Sequence, residues 1–288
     1  MRKTIIIICL YLTICVFLPY PITLLMQDKN NNEDKSGEPV QKSISEMEDY
    51  IVSRMAPYYM PGDSGEFLKA LAIVIRTGEG LIDEDGLWVP ECWSYSMMQE
   101  NWGEYYPAYY EAIMTAIRDT DGIVMTMETG KVKPYFCRLS AGYTRIMEGS
   151  NLAMVGCNED LSSPEYLSVV TLSGEKILSL IKKEYPTLRV HDNILNSIQI
   201  VSRDEAGYIT EVMVGNINMS GDDLARVLGL NSGNFIITNS GDGLVFTVKG
   251  IGMGYGMSLY SARKKAQTGA GYREILFYYY KNIVIEDV

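Results

Sequence analysis

The sequence predicts a mixed α+β fold carried behind an amino-terminal transmembrane helix, and three observations predict it. An uncharged run, Thr4 to Gln27, opens the chain directly after Arg2 and Lys3. A segment that is apolar nearly all round follows at Phe67 to Ile75, which is the pattern of a buried central helix. From there to the end, short alternating runs such as Leu244 to Val248 take turns with helical stripes such as Ala262 to Ala266. The chain has 288 residues, of which 47% are apolar and 21% charged, enough for one large domain or two small ones. Its net charge of −11 argues against nucleic acid, because nothing would neutralise a row of phosphates.

The uncharged run has 24 positions, and ~20 suffice for a helix to cross a bilayer. A cleaved signal peptide would show a shorter apolar core and a small-x-small cleavage site. Neither is present after Pro19-Tyr20-Pro21, where the run continues through Ile22, Leu24, Leu25 and Met26. The expectation is an uncleaved anchor over 1–27, with Arg2 and Lys3 holding the amino terminus in the cytoplasm and the rest outside. Residues 28–43 are polar and read as a tether, which leaves 44–288 as the folded domain. Cysteines at 9, 15, 92, 137 and 157 form no CxxC pair, and His191 is the only histidine. No disulfide framework, metal site or cofactor is expected from them.

Taken in order, Ile44 to Met55 carries a helical stripe, broken by Ala56-Pro57-Tyr58-Tyr59-Met60-Pro61-Gly62. Asp63-x-x-Glu66 fits a capping box at the start of the apolar helix, with Asp63 at the N-cap. Leu81 to Tyr110 holds Trp88, Trp93 and Trp102 with five tyrosines, read either as an irregular packed segment or as a sugar-stacking wall. Asp83, Glu84 and Asp85 look like a solvated turn. Ala108 to Arg118 is helical, and Ile123 to Met127 with Val132 to Phe136 predicts a hairpin through Glu128 to Lys131. Ser173 caps a helix running to Glu184, strands follow at Ile198 to Ser202 and Tyr208 to Val214, and Asp242-Gly243 marks a turn.

The stretch Gly250-Ile251-Gly252-Met253-Gly254-Tyr255-Gly256 has a period of two. It is not a nucleotide loop, which needs glycines spaced to turn a strand into a helix. Alternating glycines clear one face of side chains, so another backbone or a ligand can come close. A tight sheet corner and a ligand wall are both open on these residues alone.

Gly252-Met253-Gly254-Tyr255-Gly256-Met257-Ser258-Leu259 resembles the Gly-His-Gly-Val-Gly-Met-Ser-Gln signature of the stage II sporulation protein D family, whose members are also found as amidase enhancers. Glu66-Phe67-Leu68-Lys69-Ala70 through Arg76-Thr77 resembles the family's Glu-Ala-Leu-Lys-Ala…Arg-Thr block. Phe136 to Thr144 is similar to Phe-His-Ser-Thr-Ser-Gly-Gly-x-Thr, with Cys137 in the place of the histidine. Pro164 to Val170 and Gly221 to Phe235 match further blocks in the same order, so the resemblance covers about Glu66 to Ile285.

That resemblance implies a single lobed unit that cuts peptidoglycan glycan strands as a lytic transglycosylase. Glu66 would be its catalytic acid. Lys69, Arg76, Ser140, Gly142, Arg226, Gly252, Gly254, Gly256 and Ser258 would bind substrate. It also implies a role in engulfment with stage II sporulation proteins P and M as partners. The departures at Cys137, Met253 and Leu259 keep an alternative open, a member that binds glycan or activates an amidase without cutting. Both missing histidines remove a metal site that relatives with them would have.

Overall fold

A computed structural model describes residues 44–79, 81, 90–190 and 193–287. The predicted anchor over 1–27, the tether over 28–43, Asp83-Glu84-Asp85, Trp88 and His191 lie outside the described residues. Among the described residues, no helix is long and apolar enough to cross a membrane.

The first core is helical. Helix α1 (Ile44–Met55) buries Ile51, Val52 and Met55 and tightens into a 3-10 turn at Ala56–Tyr58. Helix α2 (Gly65–Thr77) follows, and every apolar residue from Phe67 to Ile75 on it is buried, as its all-round pattern predicts. The Asp63 capping box does not form. Ser64 is the N-cap, its Oγ accepting the N–H of Glu66 at 3.2 Å, while Asp63 turns inward to a buried partner described below. Helices α3 (Tyr95–Trp102) and α4 (Tyr106–Asp119) come next, and α4 sets Ile113, Met114, Ala116 and Ile117 against α2.

The expected hairpin over 123–136 is absent. Strand β1 (Ile123–Thr126) pairs instead, antiparallel, with the last strand of the chain, Val284–Asp287. Pro134 explains part of this, since a proline in the second run removes a ladder donor. The Asn151 side chain also occupies the backbone of Lys133, accepting its N–H at 2.7 Å and donating to its carbonyl at 3.0 Å. Only β2 (Phe136–Cys137) is extended there, and it runs parallel to Met257–Ser258.

After a 3-10 turn at Asn158–Ser162 the chain leaves the helical core and builds a second one. It contains β3 (Leu167–Ser173), α5 (Gly174–Glu184), β4 (Ile198–Arg203), β5 (Ile209–Val214), β6 (Ile217–Met219), α6 (Gly221–Leu228), β7 (Phe235–Ser240) and β8 (Gly243–Lys249). Two antiparallel three-stranded sheets, ordered β3-β8-β7 and β4-β5-β6, close with α5 and α6 around Ile177, Ile209, Leu224, Phe235 and Phe246. Ser173 caps α5 as predicted, accepting the N–H of Lys176.

The glycine stretch then returns the chain to the helical core. There it adds β9 (Met257–Ser258), α7 (Leu259–Gln267), α8 (Tyr272–Tyr279) and β10 (Val284–Asp287). The observed fold is mixed α and β, with one core inserted into the sequence of the other.

Candidate functional site

Glu66 sits where two helices begin. It is the second residue of α2, and its Oε2 accepts the backbone N–H of Tyr272, the first residue of α8, at 2.9 Å. A glycine precedes Tyr272, and a Cβ at Gly271 would lie 3.6 Å from the same carboxylate oxygen. Lys69, one turn along α2, stands 3.3 Å from Glu66 Oε1 and 3.1 Å from Asp119 Oδ2 at the end of α4. The bond to Asp119, followed by the contacts with Glu66, raises the Lys69 ammonium above its usual range although partial burial opposes it. The carboxyl is thus oriented by a backbone donor and an ammonium. It is still reachable, because the Glu66 side chain is 41% exposed.

The loop that leads into α2 also forms a pocket wall. A cavity of about 260 Å³ is lined by Tyr58, Tyr59 and Met60 from that loop and by Leu259, Tyr260 and Arg263 from α7, among others. Arg263 fixes the loop. Its guanidinium pairs with the buried Asp63 carboxylate, donates to the Tyr58 carbonyl at 2.9 Å and lies over the Phe67 ring. Asp63 in turn accepts the N–H of Met60 at 2.9 Å. Burial pushes the Asp63 carboxyl up, opposed by its bonds to Arg263. One buried ion pair therefore sets both the aromatic wall and the start of the helix that bears Glu66.

The other predicted residues separate from this corner. Arg226 is exposed and pairs with Glu184 at 3.0 Å. With Gly252, Met253, Tyr255, Asp222 and Arg145 it borders a second cleft, of about 610 Å³, between the inserted core and the glycine stretch. Arg145 is its buried centre, bonded at 2.6 Å to both Asp204 and Asp222 and lying over the rings of Tyr208 and Tyr255. Arg76 is buried in the helical core, where it donates to the carbonyls of Ile117 and Ile123 at 3.0 Å each. Ser140 and Ser258 are fully buried. Both hydroxyls donate to Asp160, at 2.7 and 2.8 Å, and Ser261 joins them at 2.8 Å. Gly142 is in the same loop at φ +105°, its N–H bonded to Ser140 Oγ.

The glycine stretch does not present a bare face to solvent. Gly250, Gly252, Gly254 and Gly256 all have positive φ, and protein already fills the places where their side chains would be. A Cβ at Gly254 would fall within the Tyr208 ring, and one at Gly256 would fall on the Tyr135 carbonyl. The close approach that the glycines permit is that of the chain to itself, which corrects the expectation of an open ligand wall. Gly252 alone among them also borders the larger cleft.

Sequence reasoning missed Asp63–Arg263, Asp119, Asp160 and the Tyr272 N–H. The first pair lies 200 positions apart in sequence, and a backbone donor carries no residue signature. Among the described residues, no group of three or more His, Cys, Asp or Glu side chains is placed to hold a metal ion. Cys137 and Cys157 are both buried free thiols, and burial pushes Cys157 up to about 12.

No protein-family model matches the chain. It is similar to the stage II sporulation protein D of Bacillus amyloliquefaciens, 26% identical over 261 residues that cover 84% of this chain and 74% of that one. Its likeness to the protein of the same name in Bacillus subtilis is 24% over 262 residues, with the same coverage of 84% and 74%. An uncharacterised protein of Brachyspira hyodysenteriae is 33% identical over 101 residues, 34% of this chain and 27% of that one.

Proposed function

We propose that this chain, a divergent member of the stage II sporulation protein D family, cuts peptidoglycan glycan strands as a lytic transglycosylase during sporulation, with Glu66 as its acid. The observation that carries the reading is the Glu66 corner: a carboxyl oriented by the Tyr272 N–H and by Lys69 and partly open to solvent, on the helix whose lead-in loop walls a tyrosine-lined pocket. Glu66 protonates the bridging oxygen between two sugars as that bond breaks. A hydroxyl of the same sugar then attacks its anomeric carbon and passes its own proton to the Glu66 carboxylate, which leaves an anhydro end and restores the acid. An ordinary glycosidase uses two carboxyls, whereas this reaction asks for one acid and an oriented substrate. Tyr58 and Tyr59 supply flat apolar faces suited to sugar rings, with hydroxyls at their edges.

The anchor over 1–27 would place the domain outside the cytoplasmic membrane, within reach of the wall, where stage II sporulation proteins P and M are the proposed partners. The test is digestion of purified glycan strands by the full chain, with mass detection of the products. Anhydro ends support the reading, and intact strands refute it in favour of a member that binds without cutting.

A second reading has one observation behind it. Asp119 shares the Lys69 ammonium with Glu66, so a second carboxyl stands close by. A pair of that kind is what a hydrolase uses. Ordinary reducing ends in the same digestion would select it.

A further inference from the structure

The aromatic residues from Trp93 to Tyr110 make a surface that the chemistry at Glu66 does not use. Trp102, buried at the end of α3, is its floor. It touches Tyr59 at 5.8 Å, Trp93 at 6.0 Å, Tyr106 at 6.2 Å and Tyr109 at 5.9 Å between ring centres. Two rows of tyrosine lie over that floor. One runs from Tyr59 to Tyr109 at 5.0 Å and on to Tyr105 at 5.6 Å, where the rings are nearly parallel. The other runs from Tyr106 to Tyr110 at 5.6 Å and on to Tyr95 at 6.0 Å. The four-residue spacing at the start of α4 makes both rows, since residues i and i+4 share a helix face. They reach solvent at their outer ends, where Tyr105 is 55% and Tyr95 41% exposed.

Two features say what such a surface takes. Tyr59, at the inner end of the first row, is also a wall of the pocket at the loop into α2, so that row leads outward from the pocket. The exposed rings are tyrosines, and exposed carboxylates flank them at Glu100, Glu104 and Glu111. Those charges repel phosphates and anionic headgroups. A purely apolar partner would cover the exposed Tyr105 hydroxyl without giving it a hydrogen bond, whereas the Tyr95 hydroxyl already donates to Asp49. A ring with an apolar face, hydroxyls round its edge and no negative charge satisfies all of these conditions, and a neutral sugar is such a ring.

We propose that the tyrosine rows over Trp102 are a platform that holds a glycan strand by stacking its neutral sugar rings, outward from the pocket walled by Tyr58 and Tyr59. This rests on the glycan reading above. The probe is a series of N-acetylglucosamine oligomers of increasing length, titrated into the purified full chain by calorimetry. Wild-type affinity should rise with length. Tyr105→Ala should weaken binding of the longest oligomer roughly two- to tenfold, the scale of one aromatic contact, and Tyr105→Phe should restore it. Equal affinity of wild type and Tyr105→Ala for every length, with melting unchanged, overturns the platform and leaves Glu66 in place. Failure of the wild type to bind any oligomer overturns the glycan reading itself. Self-association that Tyr105→Ala abolishes while glycan binding stays intact assigns the face to a second copy, and overturns the proposal too.

Discussion

The start of α2 and the glycine stretch both stand out in the sequence, and they solve opposite problems. Glu66 is held by the Tyr272 N–H from outside its own helix and by Lys69 from within it, and keeps 41% of its side chain exposed. The glycine stretch is packed against its own chain, and at Gly254 and Gly256 the Tyr208 ring and the Tyr135 carbonyl lie where side chains would be. A run of glycines reports that something comes close to the backbone, but not what comes close. An acidic residue at a helix start reports a cap until its partners are known. Here the first motif serves the joint between two cores, and the second leaves a carboxyl partly free.

The largest effects should come from adding a side chain in each region. Gly256→Val places a branched group on the Tyr135 carbonyl at φ +70°, and should cost more than ~4 kcal/mol or prevent folding. Gly254→Val, which meets the Tyr208 ring, should behave in the same way. Gly65→Ala at the first position of α2 meets nothing within 4 Å, and should be neutral or stabilising by up to ~1 kcal/mol. Urea unfolding of the three variants measures the contrast. Equal stabilities would mean that the glycine stretch is not the packed joint described.

Next in size is the buried pair that sets the loop into α2. Arg263→Met leaves the Asp63 carboxylate buried without its cation, and should cost ~3–5 kcal/mol. Asp63→Asn with Arg263→Met together should recover part of that loss, which a double-mutant cycle reads directly.

These contrasts follow the boundary of what the sequence reveals. Helix α2 is legible because eight of the nine residues from Phe67 to Ile75 are apolar and buried, with Lys69 the one exception. Three strands of the inserted core, β4, β5 and β8, are legible because Asp204 to Gly207 and the turn before Gly243 punctuate alternating runs, while β3, β6 and β7 are not read from the sequence. The 123–136 hairpin was misread because Ile123 to Thr126 finds its partner 160 residues on, as the Thr126–Glu286 bond shows, and no local signal announces a strand that distant. At the site, Glu66 and Lys69 could be named from a motif. Their holders could not, because Asp119, Tyr272 and the Asp63–Arg263 pair reach the corner only through tertiary packing. Asp160 is one of two adjacent acids in a 3-10 turn until Ser140 and, from a distant segment, Ser258 and Ser261 converge on it.

A smaller effect distinguishes the buried hub from the open corner through pH. Burial pushes the Asp160 carboxyl up, partly opposed by hydrogen bonds from Ser140, Ser258 and Ser261. The folded chain then keeps its proton above the ordinary aspartate value of ~3.9, where the unfolded chain has lost it. Native protein binds more protons in that window, so stability should fall as pH rises from ~3.9 through the raised value. One such group contributes at most ~1.4 kcal/mol per pH unit. Asp63 and Asp222 act in the same direction for the same cause. Asp160→Asn should flatten this slope in unfolding experiments at stepped pH, and an unchanged slope would remove Asp160 from the account.

The smallest structural change carries the most functional weight. Glu66→Gln keeps an oxygen to accept the Tyr272 N–H and leaves the Ser64 cap untouched, so it should cost no more than ~1 kcal/mol. It removes the only proton that Glu66 could transfer. The decisive measurement is therefore release of anhydro ends from purified glycan strands by wild type and Glu66→Gln, compared at equal melting temperature and equal glycan affinity. The account predicts release by the wild type and none by the variant. Release by a Glu66→Gln chain would contradict it, and would return Glu66 to the role of a helix-start residue.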